Sequence, residues 1–213
     1  MTATLLLKNA LVIGTMDDQL RELANASVFI RGNKVEAVGP ASELPSEADK
    51  VIDMTGHVLI PGLINTHHHM FQSLTRALPA AQNAELFDWL TALFPVWQNI
   101  TPQMQRAATR TAMAELMLSG CTTAADHAYL YVNGTRLDDS VQAAEEMGMR
   151  FHAVRGAMSL GQSQGGLPPD ALVEQDEQAI LKEMQRVVEE LHDSTPDAMI
   201  KVALGPCSPF TVT

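Results

Sequence analysis

From Pro61-Gly62 onward, short apolar segments alternate with longer segments of helical period. The apolar segments, which are typical of buried strands, lie at 63–66, 121–125, 150–158 and 199–204. Between them, apolar residues such as Met113 and Met117 recur at helical spacing. Strands that alternate with helices pair in parallel, because each helix carries the chain back to the starting edge of the sheet. The alternation therefore predicts an α/β fold around a parallel sheet.

Local signals mark the ends of the predicted helices. Thr101 can cap a helix that has Pro102 at its first position. Gly120 can end that helix in the left-handed conformation, and Gly148 stops the next helix, predicted at 139–147. Asp170 is the candidate N-cap of a longer helix with one apolar face.

The first 60 residues have a different sequence pattern, with strand-like runs at 4–15, 27–30 and 34–38 and no helical period. Gly32 and Asn33 separate two of these runs, and both residue types tolerate the positive φ of a tight hairpin turn. This part of the chain is predicted to be a strand-rich segment that precedes the α/β part.

The α/β part is short for a closed fold. A complete (β/α)₈ barrel needs about 250 residues, far more than residues 61–213 provide. Four strands without closure would leave an open parallel edge, which proteins normally cover. We therefore expect a fragment. An open doubly wound sheet is the alternative, but no Gly-x-Gly-x-x-Gly turn follows the first strand.

Composition excludes several classes of partner. The formal net charge is −11 and no block of Lys and Arg is present, which argues against nucleic acid and against an anionic membrane surface. No apolar run approaches the roughly 18 residues of a membrane span, and no signal peptide is apparent. Two cysteines are too few for a disulfide framework. We expect a cytoplasmic protein with reduced thiols.

Three adjacent histidines, His67, His68 and His69, follow the first apolar strand of the α/β part. Alternate side chains of a strand point to one face, so His67 and His69 share a face and His68 points away. Two imidazoles on one face at a strand's carboxyl end suit a metal such as zinc or iron. A solvated loop cluster or an adventitious metal site is the alternative.

Residues 60–69, which read Ile-Pro-Gly-Leu-Ile-Asn-Thr-His-His-His, resemble the first-strand signature of the amidohydrolase superfamily. In that family a His-x-His pair supplies two metal ligands, which implies this role for His67 and His69. The implied fold class is the first half of a (β/α)₈ TIM-like barrel, preceded by the N-terminal part of a small β-sandwich domain. The implied domains are a β-sandwich segment at 1–60 and the first four βα units of the barrel at 61–213.

Further stretches resemble the 8-oxoguanine deaminase group of this superfamily. They lie at 69–76, 86–90, 120–127, 150–156 and 205–210. The resemblance implies hydrolytic deamination of an amino-substituted heteroaromatic ring, with 8-oxoguanine converted to urate and ammonia. A chloro- or alkylamino-hydrolase of triazines shares the same frame and stays an alternative. A non-catalytic truncated half-barrel is the third hypothesis.

The resemblance also implies candidate substrate contacts. Gln72 stands where guanine deaminases carry a purine-binding glutamine, and Cys207 stands where they carry an arginine, a departure compatible with an oxidised purine. Trp89 is predicted either to line the pocket or to lie in the core. Arg155, at the end of the third strand, is a candidate for holding the substrate or an acidic group. His127 is predicted to contact a ligand or a neighbouring loop.

The fourth strand bears on the number of metal ions. Binuclear family members carry a carboxylated lysine at its carboxyl end, whereas residues 204–207 read Leu-Gly-Pro-Cys and Lys201 lies near the strand's start. One Zn²⁺, or alternatively Fe²⁺, is therefore expected, with the other metal ligands and the proton-transferring groups beyond residue 213. No catalytic residue is expected within the chain, which alone is predicted to be inactive.

The expected partner is a small-molecule purine or triazine substrate, without nucleic acid or membrane. The sequence leaves the oligomeric state open, and a homo-oligomer that closes the sheet is one option.

Overall fold

A computed structural model describes residues 2–213, which divide into two compact units, one up to Gly62 and one from Leu63. The first unit is a five-stranded sheet in which β3, β2, β1 and β4 are neighbours in that order and β5 pairs with β1. Its strands are β1 (Thr4–Gly14), β2 (Glu22–Arg31), β3 (Lys34–Pro40), β4 (Lys50–Asp53) and β5 (Val58–Leu59).

The β2–β3 hairpin confirms the turn predicted at Gly32 and Asn33. Arg31 pairs with Lys34 across it, and Gly32 has a φ of 61°. A residue with a Cβ is strained in this left-handed region, so glycine is favoured there. Buried Ala10, Ile13, Ala26 and Val28 pack on one another and form the core of this unit.

The second unit is a four-stranded parallel sheet with helices between the strands. Its strands follow the order β6, β7, β8, β9, so that neighbours in sequence are neighbours in the sheet. The strands are β6 (Leu63–Asn65), β7 (Cys121–Ala128), β8 (Arg150–Arg155) and β9 (Ile200–Leu204), and the helices are α1 (Leu86–Trp97), α2 (Pro102–Leu118), α3 (Leu137–Met147) and α4 (Glu177–Leu191). The predicted alternation of strands and helices is confirmed.

One face of this sheet is covered by helices. Ala124 and Ala128 of β7 are buried against apolar residues of α2, α3 and α4, including Met113, Val141 and Val187. The alternate residues of β7, such as His127, are only partly buried. Since successive side chains of a strand alternate in direction, the packing of the helices decides which residues are left on the opposite face.

Helix α2 begins and ends where the sequence predicts. The Thr101 side chain accepts a hydrogen bond from the Met104 amide, and Pro102 opens the helix. Gly120 and Gly148 follow α2 and α3 with φ values of 89° and 68°.

Helix α4 corrects a prediction, because its N-cap is Asp176 and not Asp170. The Asp176 carboxylate accepts from the backbone N–H groups of Gln178 and Ala179. Asp170 instead lies in a 3₁₀ turn and accepts from the Ser163 amide. Both aspartates have the right chemistry for a cap, and the path of the preceding loop decides between them.

Helix α1 was not predicted. Asp88 and Thr91 are its only polar residues, and Pro95 lies inside it, so its helical period is weakly marked in the sequence. Buried Leu93, Phe94 and Trp97 hold it against the rest of the unit. None of the helices within residues 2–213 is long and apolar enough to cross a membrane.

Candidate metal centre and adjoining cavity

His67 and His69 lie side by side just after β6. Their ring centroids are 5.3 Å apart and the ring planes are nearly perpendicular. Both rings line the same cavity, which has a volume of about 450 Å³. The structure thus brings together the two histidines that the alternation of a strand places on one face.

A backbone carbonyl fixes the orientation of His69. Its Nδ1 lies 2.8 Å from the carbonyl oxygen of His127. A carbonyl can only accept, so Nδ1 carries the hydrogen and Nε2 keeps its lone pair. Burial lowers the pKa of His69, which favours the neutral ring. A neutral imidazole whose other nitrogen donates to a carbonyl is the usual state of a metal ligand, so His69 fits a divalent metal.

Asp126 supports the turn that follows His69. It is 0% exposed, and its Oδ1 accepts from the Met70 N–H at 2.7 Å. Burial raises the pKa of Asp126 to about 7. Its Oδ2 is buried without a partner among the described residues. This hydrogen bond helps to hold the histidine segment to β7, and it leaves the carboxyl group of Asp126 poorly solvated.

Hydrogen bonds connect His127 to residues that follow two other strands, β6 and β9. Its N–H donates to the carbonyl of His68, and its Nε2 lies 3.0 Å from the carbonyl oxygen of Gly205. Gly156 leaves the space for this ring. A Cβ at Gly156 would lie 2.6 Å from Nε2 of His127 and 2.7 Å from Cβ of Tyr129, which is too close for a real contact. The strand ends are therefore packed tightly around the cavity.

Three of the four candidate substrate contacts line the cavity, namely Gln72, Trp89 and Cys207. The Gln72 Nε2 donates to the Tyr129 hydroxyl at 3.0 Å. Trp89 packs edge-on against Trp97, with 5.3 Å between ring centroids. Burial raises the pKa of the Cys207 thiol, so this position is uncharged at neutral pH.

Arg155, the fourth candidate, lies elsewhere. It is 1% exposed and makes a bidentate ion pair with Glu174, at 2.7 and 2.8 Å. Its guanidinium also stacks over the Tyr131 ring, 3.8 Å from the centroid. Arg155 is paired in β8 with Ala128, which faces the helices. The Arg155 side chain therefore holds an acidic group, which is one of its two expected roles, and it does not line the cavity as a substrate contact would.

Tyr129 is one of the lining residues that sequence reasoning missed. It lines the cavity together with Phe94, Met158 and Phe210. A signal was present, since Tyr129 lies two residues after His127 and an extended chain repeats its direction every second residue.

The described residues supply only part of a metal site. Within residues 2–213, no group of three or more His, Cys, Asp or Glu side chains is arranged to hold a metal ion. His67 and His69 alone would contribute two ligands, whereas a catalytic zinc site usually has at least three from the protein. These two residues fit the metal, and the set they form is incomplete.

Comparison with known proteins identifies the family. The sequence model of the Amidohydrolase family matches residues 58–213, which is most of the chain. The chain belongs to the amidohydrolase family.

Two curated family members illustrate the range of relatives. The chain is 44% identical over 209 residues to 8-oxoguanine deaminase of Pseudomonas aeruginosa (strain PAO1), covering 97% of this chain and 46% of that protein. It is 35% identical over 202 residues to hydroxydechloroatrazine ethylaminohydrolase of Pseudomonas sp. (strain ADP), covering 88% of this chain and 41% of that protein. The chain spans about half the length of the curated relatives it matches.

Solved amidohydrolase structures confirm the fold class. Atrazine chlorohydrolase from Arthrobacter aurescens TC1, solved in complex with zinc, superimposes with a TM-score of 0.89 at 30% identity, covering 98% of this chain and 48% of that one. These neighbours are TIM-barrel enzymes, so the four parallel strands correspond to part of such a barrel.

Proposed function

We propose that this chain provides two metal ligands and part of the substrate pocket of a hydrolase that deaminates an amino-substituted heteroaromatic ring. The favoured substrate is 8-oxoguanine, with urate and ammonia as products. The observation that carries the proposal is the pair His67 and His69, which opens onto a cavity lined by Gln72, Trp89 and Cys207. The 44% identity to 8-oxoguanine deaminase supports the choice of substrate.

One divalent ion, Zn²⁺ or alternatively Fe²⁺, would be held by His67 and His69 and would supply the Lewis acidity that activates water near neutral pH. His69 contributes a lone pair on Nε2 because the His127 carbonyl holds the hydrogen on Nδ1. The remaining ligands and the proton-transferring groups are proposed to lie beyond residue 213. The zinc-bound family member supports the choice of metal.

The pocket residues would orient the ring. Gln72 offers an amide, which can both donate and accept, to a ring edge. Trp89 offers an aromatic face or edge to a flat substrate. Cys207 places an uncharged thiol in the same cavity, so the part of the substrate that lies against it does not have to be anionic or strongly polar.

A triazine hydrolase is the second candidate. Solved triazine hydrolases superimpose on 99% of this chain with a TM-score of 0.90 at 31% identity, which favours a shared pocket frame. The two candidates differ in the leaving group, which is ammonia from a purine and chloride or an alkylamine from a triazine.

The experiment compares the protein as its gene encodes it with the 213-residue chain. Both are assayed for ammonia release from 8-oxoguanine and for turnover of a chlorotriazine and an alkylaminotriazine, and metal content is measured in parallel. We expect the encoded protein, if it continues past Thr213, to release ammonia, and the isolated chain to be inactive because its ligand set is incomplete. His67→Ala and His69→Ala should abolish activity and lower metal content, whereas His57→Ala, in the other unit, should change neither.

Turnover by the isolated 213-residue chain, with the two alanine variants inactive, would contradict the incomplete site. Preference for a triazine would replace the proposed substrate.

A further inference from the structure

Tyr129 directly follows β7, and its ring is held on several sides. The side chain is 6% exposed. Its ring centroid lies 5.2 Å from those of Phe71 and His69 and 5.7 Å from that of His127, each contact being edge-on. The phenol therefore has a fixed position beside the histidine pair, with its oxygen near Gln72.

The hydrogen bond between Gln72 and Tyr129 leaves the hydroxyl hydrogen of Tyr129 and Oε1 of Gln72 available. The Tyr129 hydroxyl accepts from Nε2 of Gln72 at 3.0 Å, so its own hydrogen points elsewhere. No residue among 2–213 accepts that hydrogen, and none donates to Oε1 of Gln72. Because both residues line the cavity, one donor and one neighbouring acceptor face a ligand there.

We propose that Tyr129 and Gln72 together bind a lactam edge, –C(=O)–NH–, of the substrate ring. Tyr129 donates its O–H to the ring carbonyl, and Oε1 of Gln72 accepts from the adjacent ring N–H. The inference rests on the proposed function for the location of the substrate, and it adds Tyr129 as a specificity-determining residue. Their mutual hydrogen bond holds the donor and the acceptor side by side, as the two groups of a lactam are.

The chemistry of the pair favours an oxidised ring. An oxopurine carries carbonyl groups beside ring N–H groups and satisfies both residues. A ring with only bare nitrogens, or one with chlorine in place of oxygen, has no carbonyl for Tyr129 and no adjacent N–H for Gln72. Such a ring would leave two polar groups unpaired in a largely buried site, which weakens binding.

The test measures binding, so that it does not depend on turnover. Urate, which has lactam edges, and unsubstituted purine, which has none, are titrated by calorimetry into the Zn²⁺-loaded protein as its gene encodes it. We expect the wild type to prefer urate. In Tyr129→Phe, which keeps the ring contacts, the preference should fall roughly tenfold to a hundredfold. Gln72→Met should reduce it in the same way.

Tyr131→Phe is the matched control. Its hydroxyl donates to the Ala128 carbonyl and does not face the cavity, so the preference for urate should survive. A wild type without preference for urate, or a preference that persists in both Tyr129→Phe and Gln72→Met, overturns the inference. The proposed function is judged separately. If the protein prefers urate through Tyr129 but releases no ammonia from 8-oxoguanine, the proposed function alone is refuted. If it deaminates 8-oxoguanine without preferring urate through Tyr129, this inference alone is refuted.

Discussion

The buried carboxyl of Asp126 should make the stability of this protein fall as pH rises, which is the reverse of the usual behaviour of an aspartate. Burial raises its pKa from the ordinary 3.8 to about 7. At a pH below both values the group is protonated in the folded and the unfolded chain. Between them the unfolded chain releases the proton while the folded chain keeps it, so the unfolded state gains in relative stability.

The magnitude follows from the size of the pKa difference. A difference of roughly three units, at about 1.4 kcal/mol each, corresponds to about 4 kcal/mol lost between about pH 4 and about pH 8. Asp126→Asn removes the titration and keeps an acceptor for the Met70 N–H. Its buried NH₂, in place of the partnerless Oδ2, costs about 1–3 kcal/mol at every pH.

The assay is guanidinium denaturation of wild type and Asp126→Asn at about pH 5 and about pH 8, with a chelator present. Relative to wild type, the variant should gain about 2–3 kcal/mol on going to the higher pH, because part of the wild type's loss has already occurred at about pH 5. His68 and His69, whose pKa values burial lowers, change stability in the opposite sense, but they do so in both proteins and cancel in the difference. Glu145→Gln, an exposed carboxylate on α3, is the control and should show no such gain. The reasoning would be refuted if the free energy of unfolding of Asp126→Asn does not rise, relative to that of wild type, between the two pH values.

Two further predictions concern residues that build the fold around the cavity. Arg155→Met should lower the free energy of unfolding by about 3 kcal/mol, because it leaves the Glu174 carboxylate, 27% exposed, without its partner. Denaturant unfolding measures this change, and a loss below about 1 kcal/mol would contradict the prediction. Gly156→Ala should cost about 1–3 kcal/mol, since its Cβ would collide with the His127 ring. Gly205→Ala serves as its control, because its neighbours lie at 3.6 Å or more and it should be tolerated in the same thermal unfolding assay.

Local chemistry carried much of what could be predicted. The turn at Gly32, the cap at Thr101, the left-handed end at Gly120 and the helix stop at Gly148 each depend on a residue and its immediate neighbours, and all were found where predicted. The alternation of apolar strands and amphipathic helices was enough to predict a parallel α/β sheet, because the two periods differ clearly in sequence.

Helix α1 and the start of α4 depended on more than local sequence. The mostly apolar run at 86–97 has only Asp88 and Thr91 to mark its polar side, and its helix is stabilised by packing of residues such as Trp97. Asp170 and Asp176 are both good caps, and only the loop between β8 and α4 determines which one begins the helix.

The candidate site likewise depends partly on local sequence and partly on tertiary structure. The spacing of His67 and His69 in the sequence determined that the two rings point to one side, because residues two apart in an extended chain share a direction. It could not determine which side of each strand the helices would cover. Only the tertiary structure decided that Arg155 lies opposite Ala128 and faces the helices, whereas His127 remains beside the cavity. The pairing register of β7 with β8 joins residues far apart in the chain, and it is fixed by burial of the whole sheet face and not by any local pattern.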